Sequence, residues 1–458
     1  MSERVRDPHT TPLGGGPSYQ SILDSDSRAV PPVLREHCPP VLGNVTLAVS
    51  RYTDAEFFRK EIEKVWLKTW QMACREEDIP QVGDCHVYDN VGKSIIVARV
   101  AENEFRAYYN SCPHRGRKLL SAPAARSDIR CAFHGLCWRL DGTLKENPIG
   151  WDFLESDPAS WRLPQAQLAR WGGFLFVNFD RSATPFKQTA GPLPRHFEHW
   201  PQQSRYKAVH VTKVVSANWK VVSEAFMESH HSLTTHPQIL PFTADANSQY
   251  DVLSDHVTRH ISAAAVPSPF VAKGLSEEQV FRAMMDFSGR GQAVAGQSLP
   301  QGVQARTVIA EAMRKALGAQ DATDYSTRSD AEMLDSILYN LFPNLSVWAG
   351  VAPNLVYRWR PNGLDHSSTI MDVMILRPVP IGAERPKAVP VHCLRPDEPW
   401  SSATELGPLG GIFDQDMGNL PHVQAGLLAS ETGTVRLGAY TEGRIAHHHH
   451  VMDRYFAR

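Results

Sequence analysis

Two short stretches of the chain place metal-ligand side chains at fixed spacing. Cys112-Pro113-His114 and Cys131-Ala132-Phe133-His134 have sixteen residues between His114 and Cys131. Two thiolates and two imidazoles from paired loops suit a structural zinc, or a [2Fe–2S] centre in which two histidines replace two cysteines on one iron. Gly116 and Gly135 stand just past the histidines. A glycine there lets the backbone turn its N–H groups toward sulfur, which favours the iron cluster over zinc. Cys137, close by, reads as a small buried hydrophobe rather than a ligand.

A second constellation lies in NWKVVSEAFMESHHSLTTH, residues 218–236. On a continuous helix Glu224, Glu228 and His231 fall at offsets 0, 4 and 7, one narrow stripe. Such a stripe can be a solvated face. Here Val221, Val222, Phe226 and Met227 flank it, so the helix is expected to be buried, and a buried polar stripe needs a partner such as a metal. His231 and His236 would stand about 140° apart on a straight helix, so the second must be presented as the helix ends. Thr234, Thr235 and Pro237 supply that break. Two histidines and a carboxylate with open positions form the facial triad that holds iron(II) in oxygenases.

The paired loops resemble the C-x-H-R-G … C-x-x-H-G motif of Rieske non-haem iron ring-hydroxylating oxygenases. Residues 218–236 resemble the mononuclear-iron motif of their large (alpha) subunits, N-W-K-x3-E-N-x2-[D/E]-x-x-H-x4-H. The resemblance implies that Cys112, His114, Cys131 and His134 hold a Rieske [2Fe–2S] cluster and that His231 and His236 hold Fe(II). Glu228 is implied to bridge the two centres between subunits of a head-to-tail homotrimer, accepting N–H bonds from His231 and from His134 of a neighbouring copy. The segment GGIFDQDMGNLPHVQAGL resembles the family's acidic segment, in which an Asp precedes a helix running into Q-x-G-L. Eight residues back from Gln424 is Asp416, the implied third ligand; Asp414 competes, and a helix N-cap is the plain role for either.

Two positions depart from the pattern. Ala225 stands where the family usually has Asn, and His230 stands directly before His231, which leaves a choice of ligand. The extra cysteine pair of respiratory-chain Rieske proteins is replaced by Arg117 and Phe133, which points to the oxygenase type. The family's activity is then the implied one. A separate NAD(P)H-dependent reductase or ferredoxin supplies electrons, and O2 is used to hydroxylate, dihydroxylate or demethylate an aromatic or otherwise hydrophobic small molecule. A Rieske electron-transfer protein would need only the first 180 or so residues. A non-catalytic hydrophobic-ligand carrier leaves the Glu228, His231, His236 set without a purpose.

These side chains need elements to hold them. The 458-residue chain is long enough for two or three domains with sizeable cores. Its 42% hydrophobic and 21% charged residues are those of a globular protein, and a net charge of −2 leaves no nucleic-acid footprint. No apolar run suits a membrane span or signal peptide, and seven cysteines form no disulfide framework, so a cytoplasmic setting is expected. Residues 1–45, rich in Pro, Gly and Ser, read as a mobile or surface-hugging arm. Residues 46–180 read as a small antiparallel β-domain with a leading helix over 54–70, and the Pro-rich stretch 181–201 as a linker.

The remainder, 202–458, reads as α+β. Helices are expected from Ser276 (a capping box with Gln279), over Val308–Leu317 and over Ala331–Leu341, and strands at 346–349, 355–360 and 369–376. The resemblance implies a helix-grip (START-like) catalytic fold there. Phe270, Phe281, Met284, Met285, Phe287 and Leu341 could line a pocket or form a lid, or be plain core. The run His447–His450 reads as exposed, binding metal only adventitiously.

Overall fold

The computed structural model describes residues 16–458 apart from 42, 44, 154–156, 272 and 290–297. Two β-rich bodies account for most of the chain. The first carries the metal loops. Strands Glu104–Tyr109, Lys93–Ala101, Asp84–Asn90 and Ala124–Ala125 form one antiparallel sheet, in that order. Asp128–Arg130, Cys137–Arg139 and Leu144–Glu146 form a second, with Trp138 opposite Leu144 across the turn at Asp141-Gly142. The GGFLFV run yields the wholly buried strand Phe174–Asn178, paired with Gln167–Trp171 and Gln71–Arg75. Cys85, Ile96, Tyr108, Leu119, Ile129 and Trp138 pack beneath the two cysteines of the loops.

The second body is an eight-stranded sheet. Its order is Gln249–Val252, Val257–Ser262, Ser336–Leu341, Leu345–Trp348, Leu355–Asn362, Asp365–Pro378, Arg205–Val215 and His392–Cys393, antiparallel up to the last, parallel pair. Helices Trp219–Glu224 and Leu409–Leu428 lie against it through Val221, Val222, Phe413 and Leu420, which pack on Tyr357, Trp359 and Met371. This layer carries the second constellation.

Several expectations change. The arm is not loose over its described part. Tyr19, Ile22, Leu23, Val33 and Leu34 are buried in the core against the eight-stranded sheet, the Tyr19 hydroxyl donates to Asp335 at 3.0 Å, and Asp26 pairs with Arg306 at 3.1 Å. The leading helix is split into Ala55–Glu61 and a π-helical turn Ile62–Trp66, capped by Asp54. It belongs with the second body, because Phe58, Val65 and Trp66 pack on Trp219 and on the C-terminal Val451, Met452 and Tyr455. The stretch 181–201 is folded into two short helices that bury Phe186, Leu193, Phe197 and Trp200.

The Ser276 capping box forms as expected, and the helix over Val308–Leu317 extends to Ala305–Asp321. The helix over Ala331–Leu341 stops at Leu334. Ser336–Leu341 is instead a central strand between Val257–Ser262 and Leu345–Trp348, where sheet pairing overrides local helical periodicity. Phe281 and Met285 pack with Ile309 and Tyr325 in a satellite core, with Met284 and Phe287 against it, and Leu341 joins the main core, so these residues are core, whereas Phe270 is exposed. The histidine run lies in helix Gly443–Phe456 with His448 and His449 buried, contrary to the exposed reading. Among the described residues no helix is long and apolar enough to cross a membrane. All seven cysteines are free thiols, and Cys137 is fully buried in its strand.

Candidate metal centres

The two cysteine–histidine loops fold by the same local rule. Gly116 N–H donates to the Cys112 carbonyl at 2.9 Å, and Gly135 N–H to the Cys131 carbonyl at 3.0 Å. One residue further on, Cys112 N–H reaches Arg117 O and Cys131 N–H reaches Leu136 O, both at 2.8 Å. Both turns close through left-handed glycines, φ +75° at Gly116 and +81° at Gly135, a conformation that a side chain disfavours. The result is two loops with the same backbone bonds that differ in where the histidine sits, two residues past Cys112 but three past Cys131.

The loops bring the four predicted ligands together. The His114 and His134 rings lie 4.6 Å apart edge to face. Both cysteines are buried. Burial pushes the Cys112 thiol up, whereas at Cys131 burial is outweighed by backbone N–H groups of Phe133 and His134, which hold the thiol below its usual value. Backbone N–H groups aimed at sulfur are the environment a thiolate-bound cluster requires. His114 Nδ1 is buried with no hydrogen-bond partner. A ring nitrogen withdrawn from water and left unpaired is costly unless it ligates something, so the four residues fit an iron–sulfur cluster.

The second site departs from the continuous helix expected over 218–236. The helix runs only over Trp219–Glu224, a turn follows, and a single helical turn Ser232–Thr235 ends at His236. Glu224, Glu228 and His231 nevertheless line one cavity of about 410 Å³. Asn218 caps the first helix through Lys220 N–H at 3.0 Å, while its own N–H is held by Gln424 Oε1 at 2.9 Å. That bond gives the Gln of the Q-x-G-L segment a job: it fastens the third-ligand helix to the start of the histidine segment. Beneath them Lys220 and Trp219 both donate to Glu61, in a pair with no exposure on either side chain.

His231, His236 and Asp416 bring one ligand atom each to within 4.8 Å of one another. His236 Nε2 is 2.9 Å and His231 Nε2 3.5 Å from Asp416 Oδ1. The opposite ring nitrogens are engaged, His231 Nδ1 with Glu228 at 2.6 Å and His236 Nδ1 with Gln415 Oε1 at 2.8 Å. Each imidazole is therefore oriented by an acceptor on one side and presents its Nε2 to a shared point, the arrangement metal-binding histidines adopt. Burial opposes a charged His231, yet hydrogen bonds and charge from Asp416 and Glu228 push it up to about 10 in the metal-free chain. The donor set fits iron(II).

The competing residues take other work. Asp414 accepts the N–H groups of Trp400 and Ser401, capping a turn. His230 is exposed, and its N–H donates to Glu228. Asp416 does not precede its helix; it lies within Leu409–Leu428. Ala225 leaves no amide at the family's Asn position. Gln415 and Arg444 were not foreseen. Arg444, fully buried, donates to the Met227 carbonyl at 3.0 Å and so steadies the residue before Glu228. No local sequence pattern marks either one.

Comparison with known proteins bears on this pair of sites. Residues 69–150 match the Rieske [2Fe–2S] domain, and residues 197–458 match the ring hydroxylating alpha subunit (catalytic domain). The chain belongs to the ring hydroxylating alpha subunits. Domains of this family carry the Rieske [2Fe–2S] cluster and bind mononuclear iron. The carnitine monooxygenase oxygenase subunit of Escherichia coli (strain K12) is 32% identical over 200 residues, 42% of this chain and 52% of that protein. The anthranilate 1,2-dioxygenase large subunit of Acinetobacter baylyi is 30% identical over 202 residues, 42% and 43% of the two. The chain thus spans about half the length of the curated relatives it matches.

Solved structures share the fold over nearly the whole chain. A quaternary ammonium Rieske monooxygenase in complex with L-carnitine has a TM-score of 0.64 at 17% identity, covering 92% of this chain and 99% of that one. Naphthalene 1,2-dioxygenase from Rhodococcus sp. bound to indole has a TM-score of 0.61 at 18% identity, covering 90% and 95%.

Proposed function

We propose that the chain is the terminal oxygenase subunit of a multicomponent Rieske oxygenase. In this reading His231, His236 and Asp416 hold the mononuclear iron, and Cys112, His114, Cys131 and His134 hold the cluster. The observation that carries it is the convergence of both histidine Nε2 atoms on Asp416 Oδ1, with each opposite nitrogen engaged by Glu228 or Gln415. Iron bound there supplies O2 activation, with electrons drawn from a separate NAD(P)H-dependent reductase or ferredoxin.

The chain's own residues do the rest. Glu228 fixes the His231 ring through Nδ1 and also accepts the backbone N–H groups of His230 and His231; by the family resemblance its further donor is His134 of a neighbouring copy in a homotrimer. Gln415 fixes His236. Phe226, Tyr357, Trp359 and Phe413 pack against one another beside Asp416 and keep water from that side. The substrate is a small molecule, either aromatic or hydrophobic or, as the relatives' names direct, a quaternary ammonium compound.

Anaerobic reconstitution tests the metal assignment: about three irons per chain are expected, two in the cluster and one mononuclear. O2 uptake with a surrogate reductase, over a panel of aromatic acids, arenes and quaternary ammonium compounds, tests the activity. Two irons, with no O2 uptake for any compound, would favour an electron carrier instead.

A further inference from the structure

Glu228 shares its cavity wall with a second carboxylate, Glu224, to which the oxygenase reading gives no task. Glu224 is tied to two neutral groups. The Tyr52 hydroxyl is 3.0 Å from Oε2, His449 Nε2 is 2.8 Å from Oε1, and hydroxyl and imidazole are 3.0 Å from each other. Tyr52 and His449 are 3% and 1% exposed; the Glu224 side chain is 13% exposed. The histidine run of the C-terminal helix therefore delivers one imidazole to the rim of the candidate metal site.

The charges around Glu224 leave it without a counter-ion. Lys220, on the same helix, is committed to Glu61, with both side chains fully buried. Arg51, next to Tyr52, approaches the other ring nitrogen of His449 at 3.3 Å and pairs with Asp453. A guanidinium on Nδ1 makes that nitrogen an acceptor and puts the His449 proton on Nε2, facing Glu224 and Tyr52. From the remaining elements Glu228, Asp416 and Glu442 face the same cavity, as do the cationic Arg436 and His231, and none of these five is bonded to Glu224. A carboxyl buried among neutral partners keeps its proton at pH values where an exposed one has lost it. Burial raises Glu224 to about 8, against the lowering effects of Lys220, Tyr52 and Arg51.

We propose that Glu224, positioned by Tyr52 and His449, is the proton-holding group of the cavity at the Glu228–His231 pair. The step moves a proton and no electron. The Glu224 O–H bond breaks, the proton passes to water in the cavity, and the Tyr52 O–H and His449 Nε2–H then donate to the carboxylate left behind; uptake from that water reverses it. Three polar atoms already within hydrogen-bond distance let this happen without moving a heavy atom. Charge changes at His231 and Glu228 can then be offset next door. The use made of the proton rests on the oxygenase reading; its presence on Glu224 does not.

Infrared difference titration of the 458-residue chain tests the proton itself. The wild type should lose a protonated-carboxyl C=O band with a midpoint near pH 8, and Glu224→Gln should lack that band. Tyr52→Phe keeps Glu224 but removes a donor to its carboxylate, and should move the midpoint upward. Superimposable wild-type and Glu224→Gln spectra would overturn the proposal, as would an unmoved midpoint in Tyr52→Phe, which also covers a Glu224→Gln chain that does not fold. The iron-loaded protein gives the second readout: single-turnover product yield should fall roughly tenfold from one pH unit below that midpoint to one above it in the wild type, and stay flat in Glu224→Gln. Identical profiles would remove the junction role. Failure to bind iron leaves the infrared arm standing, so the two readings fail separately.

Discussion

The two candidate metal centres are built on opposite plans. The cluster loops repeat one local backbone pattern, a glycine N–H back to the cysteine carbonyl and a cysteine N–H to the residue after the glycine. Every ligand lies within a few residues of the bonds that place it. The mononuclear site has no such economy. His236 and Asp416 are 180 positions apart, and their meeting depends on Gln424 holding Asn218, on Gln415 holding His236 and on the Lys220–Glu61 pair beneath the helix. The difference teaches where each centre is vulnerable: the cluster through its own loops, the iron site through distant support.

The largest expected effect separates the two centres outright. Asp416→Ala should abolish turnover, on the order of a thousandfold or more, by removing a ligand from an open three-residue site. Iron should fall by about one per chain while the cluster's visible spectrum stays. Cys131→Ser should do the reverse, losing the visible spectrum and keeping the mononuclear iron. If either change empties both sites, the independence of the two plans is refuted.

Distant support comes next. Glu61→Gln leaves the Lys220 ammonium buried without its counter-charge, and breaking a buried pair from one side costs about 3–5 kcal/mol. Chemical denaturation should show the catalytic transition at lower denaturant while the cluster's spectrum persists to its original midpoint. A single unchanged transition would show that the pair is not needed.

Smaller effects concern orientation. Gln415→Ala frees His236 Nδ1 and should weaken iron binding about 10–100-fold, the usual cost of losing a group that orients a ligand, measured by iron retention against a chelator. Glu228→Gln should keep both metals and slow single-turnover oxidation of the prereduced cluster by about the same factor. Normal turnover in that variant would sink the bridging role.

Much of this was legible in the sequence because its cause is local. The Cys-x-His-x-Gly and Cys-x-x-His-Gly spacings encode turns that close on themselves, and the Ser276 capping box and the buried GGFLFV strand are equally local. The helix over Ala331–Leu341 was misread because the periodicity of Leu334–Leu341 does not reveal that strands wait on both sides to pair with it. The histidine run was misread because four imidazoles in a row look solvated; burial of His448 and His449 follows from Trp219, Phe342, Tyr52 and Glu224 packing around them.

Residue types and spacing named the ligand candidates, and the family resemblance set His231 and Asp416 ahead of His230 and Asp414. Tertiary structure supports the same choice in each pair, since a ligand is expected to be buried with its free nitrogen or oxygen aimed at the shared point. His230 is exposed, and Asp414 is spent on the backbone of Trp400 and Ser401. Gln415, Arg444 and the Tyr52–Glu224–His449 cluster emerged only from the fold, because their partners are brought together by packing across hundreds of residues and leave no periodic trace in the chain.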